Sequence, residues 1–191
     1  FQRGPTAAWE RHPGRRALVA LFSKGVPTAV RARLERGERV LAHAPVAAPA
    51  DGGTPVLVAT TLALYLPDGR AVPWQEIDQA RWTPDTFTFL KGGSGEHTVR
   101  LRSAPATDAV DYRRLAETVS ERVTATILVN RFVPFPEADS TTGFRLVARR
   151  PPGGTDVDWR VHLGEGVDPR DQRLPDAVSF ALAELHDQMG V

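Results

Sequence analysis

Residues 54–102 read TPVLVATTLALYLPDGRAVPWQEIDQARWTPDTFTFLKGGSGEHTVRLR, and the spacing of turn residues within this stretch decides the fold. Runs rich in Val, Thr, Leu, Phe and Tyr, four to eight residues long and separated by Gly, Pro and Asp, are the pattern of successive antiparallel strands. Strands are expected at 54–60, 62–67, 71–74, 77–82, 86–90 and 96–102. Strict alternation in Thr86-Phe87-Thr88-Phe89-Leu90 and in His97-Thr98-Val99-Arg100-Leu101-Arg102 gives each of those strands one apolar face. Pro67-Asp68-Gly69-Arg70 and Gly92-Gly93-Ser94-Gly95 supply the positive-φ residues that tight reversals need.

Working outward, 39–47 is expected to be a further strand, joined to the next through Asp51-Gly52-Gly53. After the strands, Asp108 is a candidate N-cap for a helix in which Leu115, Val119 and Val123 recur every four residues as an apolar stripe. The β-branched run 123–129 is compatible either with continued helix or with a switch to strand. Upstream, 16–23 is a short amphipathic turn. A second helix is expected after Pro27, with Val30 and Leu34 on one face and Gly37 at its left-handed C-cap. Downstream of Pro134-Phe135-Pro136, 143–150 and 156–163 read as a hairpin turned by Pro151-Pro152-Gly153-Gly154. A helix follows, started by Asp168 and Pro169 and lined on one face by Leu174, Val178, Ala181, Leu182, Leu185 and Met189. A hairpin plus one helix is too small to fold by itself and is expected to pack on the preceding strands, with a homodimer as one use of the extension.

Three short strings carry a family resemblance. Gly37-Glu38-Arg39-Val40-Leu41-Ala42, then Val56-Leu57-Val58-Ala59-Thr60-Thr61 leading to Leu64-Tyr65-Leu66, then Val72-Pro73-Trp74-Gln75-Glu76-Ile77, together resemble the bacterial pleckstrin-homology-like domains. The resemblance covers residues 38–131 and implies an α+β fold: a seven-stranded antiparallel barrel, closed or nearly so, capped by a helix. N-terminal helices (1–37) and a hairpin-plus-helix extension (132–191) complete the expected organisation. Lipid-binding members of that family place Lys and Arg around the first two strands. Here the connecting loop 47–55 carries Asp51 and no basic residue, so the resemblance implies no inositol-phosphate site and points to an interaction module. Such modules use a sheet edge, the face beside the terminal helix or the open barrel end.

Composition narrows the function classes. Of 191 residues, 41% are hydrophobic and 25% charged, enough to bury a core in one domain with an extension. The absence of cysteine excludes disulfides, thiolate metal sites and cysteine nucleophiles. No apolar run reaches the roughly 20 residues a membrane-spanning helix needs, and no secretory-signal pattern is present, so a soluble, cytoplasmic bacterial protein is expected; the chain begins at Phe1 rather than Met, which leaves residues upstream open. Net charge is +1, but residues 1–40 hold nine basic and three acidic side chains, +6, against −5 for the rest. That basic segment, with Arg11, Arg15, Arg16, Arg31, Arg33 and Arg36, either docks on the acidic C-terminal stretch or faces an anionic membrane or nucleic acid. Few aromatics accompany it, which disfavours nucleic acid.

No catalytic signature is present. His12, His43, His97, His162 and His186 have no spacing suited to zinc, the Gly92–Gly95 turn lacks a following Gly-Lys-Ser/Thr, and no serine sits in a Gly-x-Ser-x-Gly elbow. Neither a metal nor a cofactor is expected. Glu76 with Asp78, and Asp156 with Asp158, read as solvated strand edges, and Arg149-Arg150 as a solvated strand end. Trp74 and Trp82 read first as core or barrel-end packing and otherwise as candidate binding residues of a peptide groove, and Arg15, Arg16, Arg31 and Arg33 are candidates for an anionic surface. The expected function is a non-catalytic module binding a protein or peptide. The alternatives are peripheral binding to an anionic membrane or nucleic acid, and a small-ligand carrier or enzyme with a pocket between barrel and extension.

Overall fold

The structure is a computed structural model that describes residues 25–102 and 110–190. It is α+β, with three antiparallel sheets. A one-turn helix α1 (Thr28–Arg31) precedes the strands β1 (Val40–Pro45), β2 (Val56–Thr60), β3 (Ala63–Tyr65) and β4 (Ala71–Pro73), which form the first sheet in that order. A 3-10 turn (Trp74–Glu76) leads to β5 (Ile77–Trp82), β6 (Thr86–Lys91) and β7 (Gly95–Arg100), the second sheet. Helix α2 (Arg113–Ala125) follows, then β8 (Ile127–Pro134), β9 (Gly143–Arg149) and β10 (Asp158–Leu163) in the order β10-β9-β8, and finally α3 (Leu174–Met189).

One core joins the first two sheets to α2. Ala42, Ala44, Leu57, Ala59, Leu64 and Val72 of the first sheet meet Ile77, Phe87 and Phe89 of the second, and Leu115, Val119 and Val123 of α2 close over them. The four-residue recurrence of those three helix residues is what turns one apolar stripe inward. The other face of the first sheet is covered by the segment around α1: Val26, Val30 and Leu34 pack on Val56, Val58, Ala63 and Tyr65. Burial on both faces accounts for the unbroken apolar run of β2, since a strand with one wet face would alternate.

The expected single barrel is not what forms. The seven strands divide four and three, and β4 does not pair with β5. Pro73 has no N–H to donate, and the following 3-10 turn breaks the extended backbone. At the opposite corner, among the described residues, β1 and β7 are joined by the bridge Val46↔Leu101 and by the Ala47 N–H donating to the Arg100 carbonyl at 3.1 Å. Two sheets that touch at one corner leave the other corner open, and that opening positions the candidate site.

The run 123–129, open to helix or strand by sequence, switches: α2 ends at Ala125 and β8 begins at Ile127, so the expected C-terminal hairpin is a three-stranded sheet and β8 crosses the expected boundary at residue 131. Two further expectations are corrected. Helix α3 starts at Leu174 with Pro175 in its first turn. Asp168 instead accepts the Arg170 N–H at 2.9 Å, the local Asx-type bond that competes with helix. Gly37 has φ +87° but sits in the turn before β1, while the helix ends at Ala32. The expected helix start at Asp108 and the amphipathic turn 16–23 lie outside the described residues. The third sheet and α3 form their own core from Phe135, Phe144, Leu146, Leu174, Ala181 and Leu185.

Candidate site: the groove between β5 and α2

Strand β5 is an edge. It pairs with β6 on one side, and among the described residues no strand pairs with its other side. The Thr83 N–H donates to the Thr86 carbonyl at 2.9 Å, which marks 83/86 as a hydrogen-bonded pair. In an antiparallel ladder such pairs alternate. The register Gln79↔Leu90, Ala80↔Phe89, Arg81↔Thr88, Trp82↔Phe87 therefore assigns the Gln79 and Arg81 backbone groups to β6 and turns those of Ala80 and Trp82 to the open side.

Helix α2 stands across that open side, and a groove of about 480 Å³ runs between them, lined by Asp78, Ala80, Trp82, Ala116, Ser120 and Ile127, among others. Small residues one turn apart, Ala116 and Ser120, leave this space on the helix side. Ala80 pairs with the buried Phe89 and so points to the core side of the sheet, yet it is exposed, because no side chain of α2 fills the space in front of it.

Trp82 forms one wall. Its ring lies 4.2 Å from Phe87 and 6.2 Å from Tyr112, half-buried, and its indole N–H has no protein acceptor among the described residues. Trp74, the other expected groove residue, is not in the groove. It is fully buried, and its Nε1 donates to the Thr60 carbonyl at 2.9 Å, so it is a core residue out of a partner's reach. Of the basic candidates, Arg15 and Arg16 lie outside the described residues. Arg31 closes the last turn of α1, and Arg33 sits 5.8 Å from the centre of the Tyr65 ring.

The Asp78 end of the groove is closed by charges that sequence reading placed in solvent. Asp78 is the extra residue of a bulge between Ile77 and Gln79. Its carboxylate receives Arg160 Nη1 at 2.8 Å, and its backbone carbonyl receives Arg149 Nη2 at 3.3 Å. Arg149 is only 3% exposed. Its Nη1 also donates to Thr126 Oγ1 at 2.8 Å and to the Val123 carbonyl at 3.4 Å, so the guanidinium sits on the C-terminal end of α2, where a cation is favoured. Burial lowers the Arg149 pKa, and the nearby Asp78 opposes that shift. Gly92 admits the neighbouring cation, since a Cβ there would meet Arg160 Nη1. Arg149 and Asp78 are thus corrected from solvated positions to an internal ion network. The approach of Arg149 to the Asp78 carbonyl and to the end of α2 is the long-range fact that local sequence does not contain.

Two other concavities are present. One of about 370 Å³, at the end of the two sheets, includes Asp51, Asp68, Arg70, His97 and Arg100; Arg70 is paired with Asp68 at 2.7 Å. Another of about 300 Å³ lies where Pro151 and Pro152 approach Tyr65 and Glu38. There the Glu38 carboxylate is already bonded to Thr60 Oγ1, the Tyr65 hydroxyl and the Glu35 N–H. Burial and then Glu38 push the Tyr65 phenol up to about 12. Among the described residues no group of three or more His, Cys, Asp or Glu is placed to hold a metal, and no helix is long and apolar enough to cross a membrane. No family model, no curated protein and no solved structure matches this chain.

Proposed function

We propose that the chain is a non-catalytic interaction module of the pleckstrin-homology-like kind, which docks an extended segment of a protein partner along β5 against α2. The observation that carries this reading is the conjunction of an open strand edge at Ala80 and Trp82 with a groove and an unpartnered indole N–H. An added strand takes its hydrogen bonds from the edge and its specificity from the pocket. Here the pocket in front of Ala80 accepts one small or medium apolar side chain, and Trp82 supplies an aromatic wall and a donor. Seven antiparallel strands followed by a helix are the part of the resemblance that supports this reading, although the strands form two sheets rather than one barrel. A bacterial cytoplasmic setting belongs to it as well, and nothing in the site calls for a cofactor.

Selection of a displayed random-peptide library against the whole chain tests it. Selected peptides are expected to lose binding on Trp82→Ala, and on Ala80→Arg, which fills the groove, at ionic strengths that screen surface charge. Peptides that bind equally well to both variants, or only at low salt, would sink the reading; the low-salt case would move attention to the basic N-terminal segment.

A further inference from the structure

The residue that closes the groove does not belong to either element that forms it. Arg149 comes from β9 of the third sheet, and its guanidinium reaches β5 through the Asp78 carbonyl and α2 through the Val123 carbonyl and Thr126 Oγ1. The groove lining includes Asp78 and Val123 themselves, with Ile127 beside Thr126. We infer that Arg149 is a positioning residue for the docking groove: it fixes the separation of β5 and α2 at the Asp78 end, so the third sheet sets how far the groove opens and how much of the β5 edge a partner can use.

Three observations converge on this. First, the bonds of Arg149 run to backbone carbonyls on both walls, and such bonds from a planar, permanently charged fork hold a distance in a way that apolar contact does not. Second, the Asp78 carbonyl, which lies on the strand that a partner would extend, is already occupied. Strand addition is therefore confined to Ala80 and Trp82, and the groove takes a short extended segment rather than a long strand. Third, Arg149 keeps one unbonded donor, Nε, buried and 3.8 Å from Asp78 Oδ1. The network is not saturated, and a small shift of β9 relative to β5 changes its bonding without unfolding either sheet. The second cation, Arg160 from β10, holds the Asp78 carboxylate and keeps the bulge in place while Arg149 spans the walls.

This inference rests on the docking reading for its purpose but is tested without a partner. The chain has no cysteine, so Ala116→Cys places one thiol on the half-buried α2 wall of the groove, and its rate of reaction with a methanethiosulfonate reagent reports access. Arg149→Met in that background is expected to raise the rate about tenfold. Amide exchange should quicken at Gln79, Arg81 and the last turn of α2, while the Leu57 and Val58 amides in β2 keep their protection. Thr126→Val, which removes one acceptor at nearly constant volume, is expected to give a smaller rise in the same direction. Arg149→Lys, which keeps the charge but not the fork, should fall between parent and Arg149→Met. A folded Arg149→Met protein whose thiol rate and groove exchange stay within about twofold of the parent overturns the inference and leaves peptide docking standing. If Arg149→Met does not fold, an unchanged rate in Thr126→Val overturns it equally. A clear response in a protein that selects no peptide supports the coupling and removes the docking function.

Discussion

The two tryptophans separate what a residue type suggests from what its neighbours make of it. Trp74 satisfies its N–H on Thr60 and lies in the core, so Trp74→Leu is expected to cost about 3 kcal/mol through lost volume and an orphaned carbonyl. Urea unfolding checks this, and peptide binding by the folded fraction should be unchanged. Trp82 is half-buried against Phe87, and Trp82→Ala should cost only about 1 kcal/mol while abolishing peptide capture. Tyr65 offers a pH test with a definite sign. Its phenol is held up to about 12 against 10.0, so the folded state prefers the neutral form. The stability it contributes is complete below pH 10 and is lost as pH rises from 10 towards 12. Tyr65→Phe should remove that alkaline component, read as the dependence of the urea midpoint on pH, and should also remove the late phenolate absorbance step.

Elements show the same division between local rule and long-range partner. The stripe Leu115-Val119-Val123 in α2 and the Phe87–Phe89 face of β6 are local properties, and both lie in the core as the sequence reads, although Thr88 between the two rings is buried as well. Helix α2 ends where Ile127 onward pairs with β9, from Ile127↔Arg149 to Pro134↔Gly143, a partner strand that lies beyond the loop 135–142. Gly143 makes that ladder close. A Cβ there would collide with the Val133 carbonyl oxygen and crowd the Phe132 ring. Gly143→Ala is therefore expected to destabilise by about 2 kcal/mol or more, visible as a lowered Tm and as faster amide exchange confined to β8 and β9. Gly153, at φ +71° with nothing near its Cβ, should tolerate Ala with a smaller loss that is backbone strain alone.

At the scale of the molecule, the third sheet is tied to the second by Asp78, Arg149 and Arg160. Asp78 lies between two cations, one of them buried; Arg160 keeps Asp158 at 2.9 Å, but Asp78→Ala leaves the buried Arg149 with no acid beside it. A loss of about 3 kcal/mol is expected, larger than that of Asp78→Asn, which keeps a polar oxygen for Arg160. Denaturant unfolding of both variants checks the order. Because Arg149 also caps α2, the same substitution should loosen the groove end as well as the contact between sheets. Joint loss of protection in β5 and β9 by amide exchange is the expected signature.

The sequence by itself determined the strand succession from β1 to β7, the tight turns between them, the α2 stripe, the apolar face of α3 and the absence of any cysteine chemistry. All of these depend on neighbours within a few residues, where side-chain periodicity and backbone preference act directly. The sequence offered Trp74 and Trp82 alike as core or groove residues and did not separate them. Only the tertiary structure decided that the strands split into two sheets, that Trp74 belongs to the core, that 127–134 is a strand, and that Arg149 is buried rather than solvated. Each of those outcomes depends on which distant segment supplies a hydrogen-bond acceptor or a counter-charge. A guanidinium next to a Pro-Pro turn looks solvated until β9 carries it to the Asp78 carbonyl and the end of α2, where desolvation is offset by bonds the local sequence does not contain.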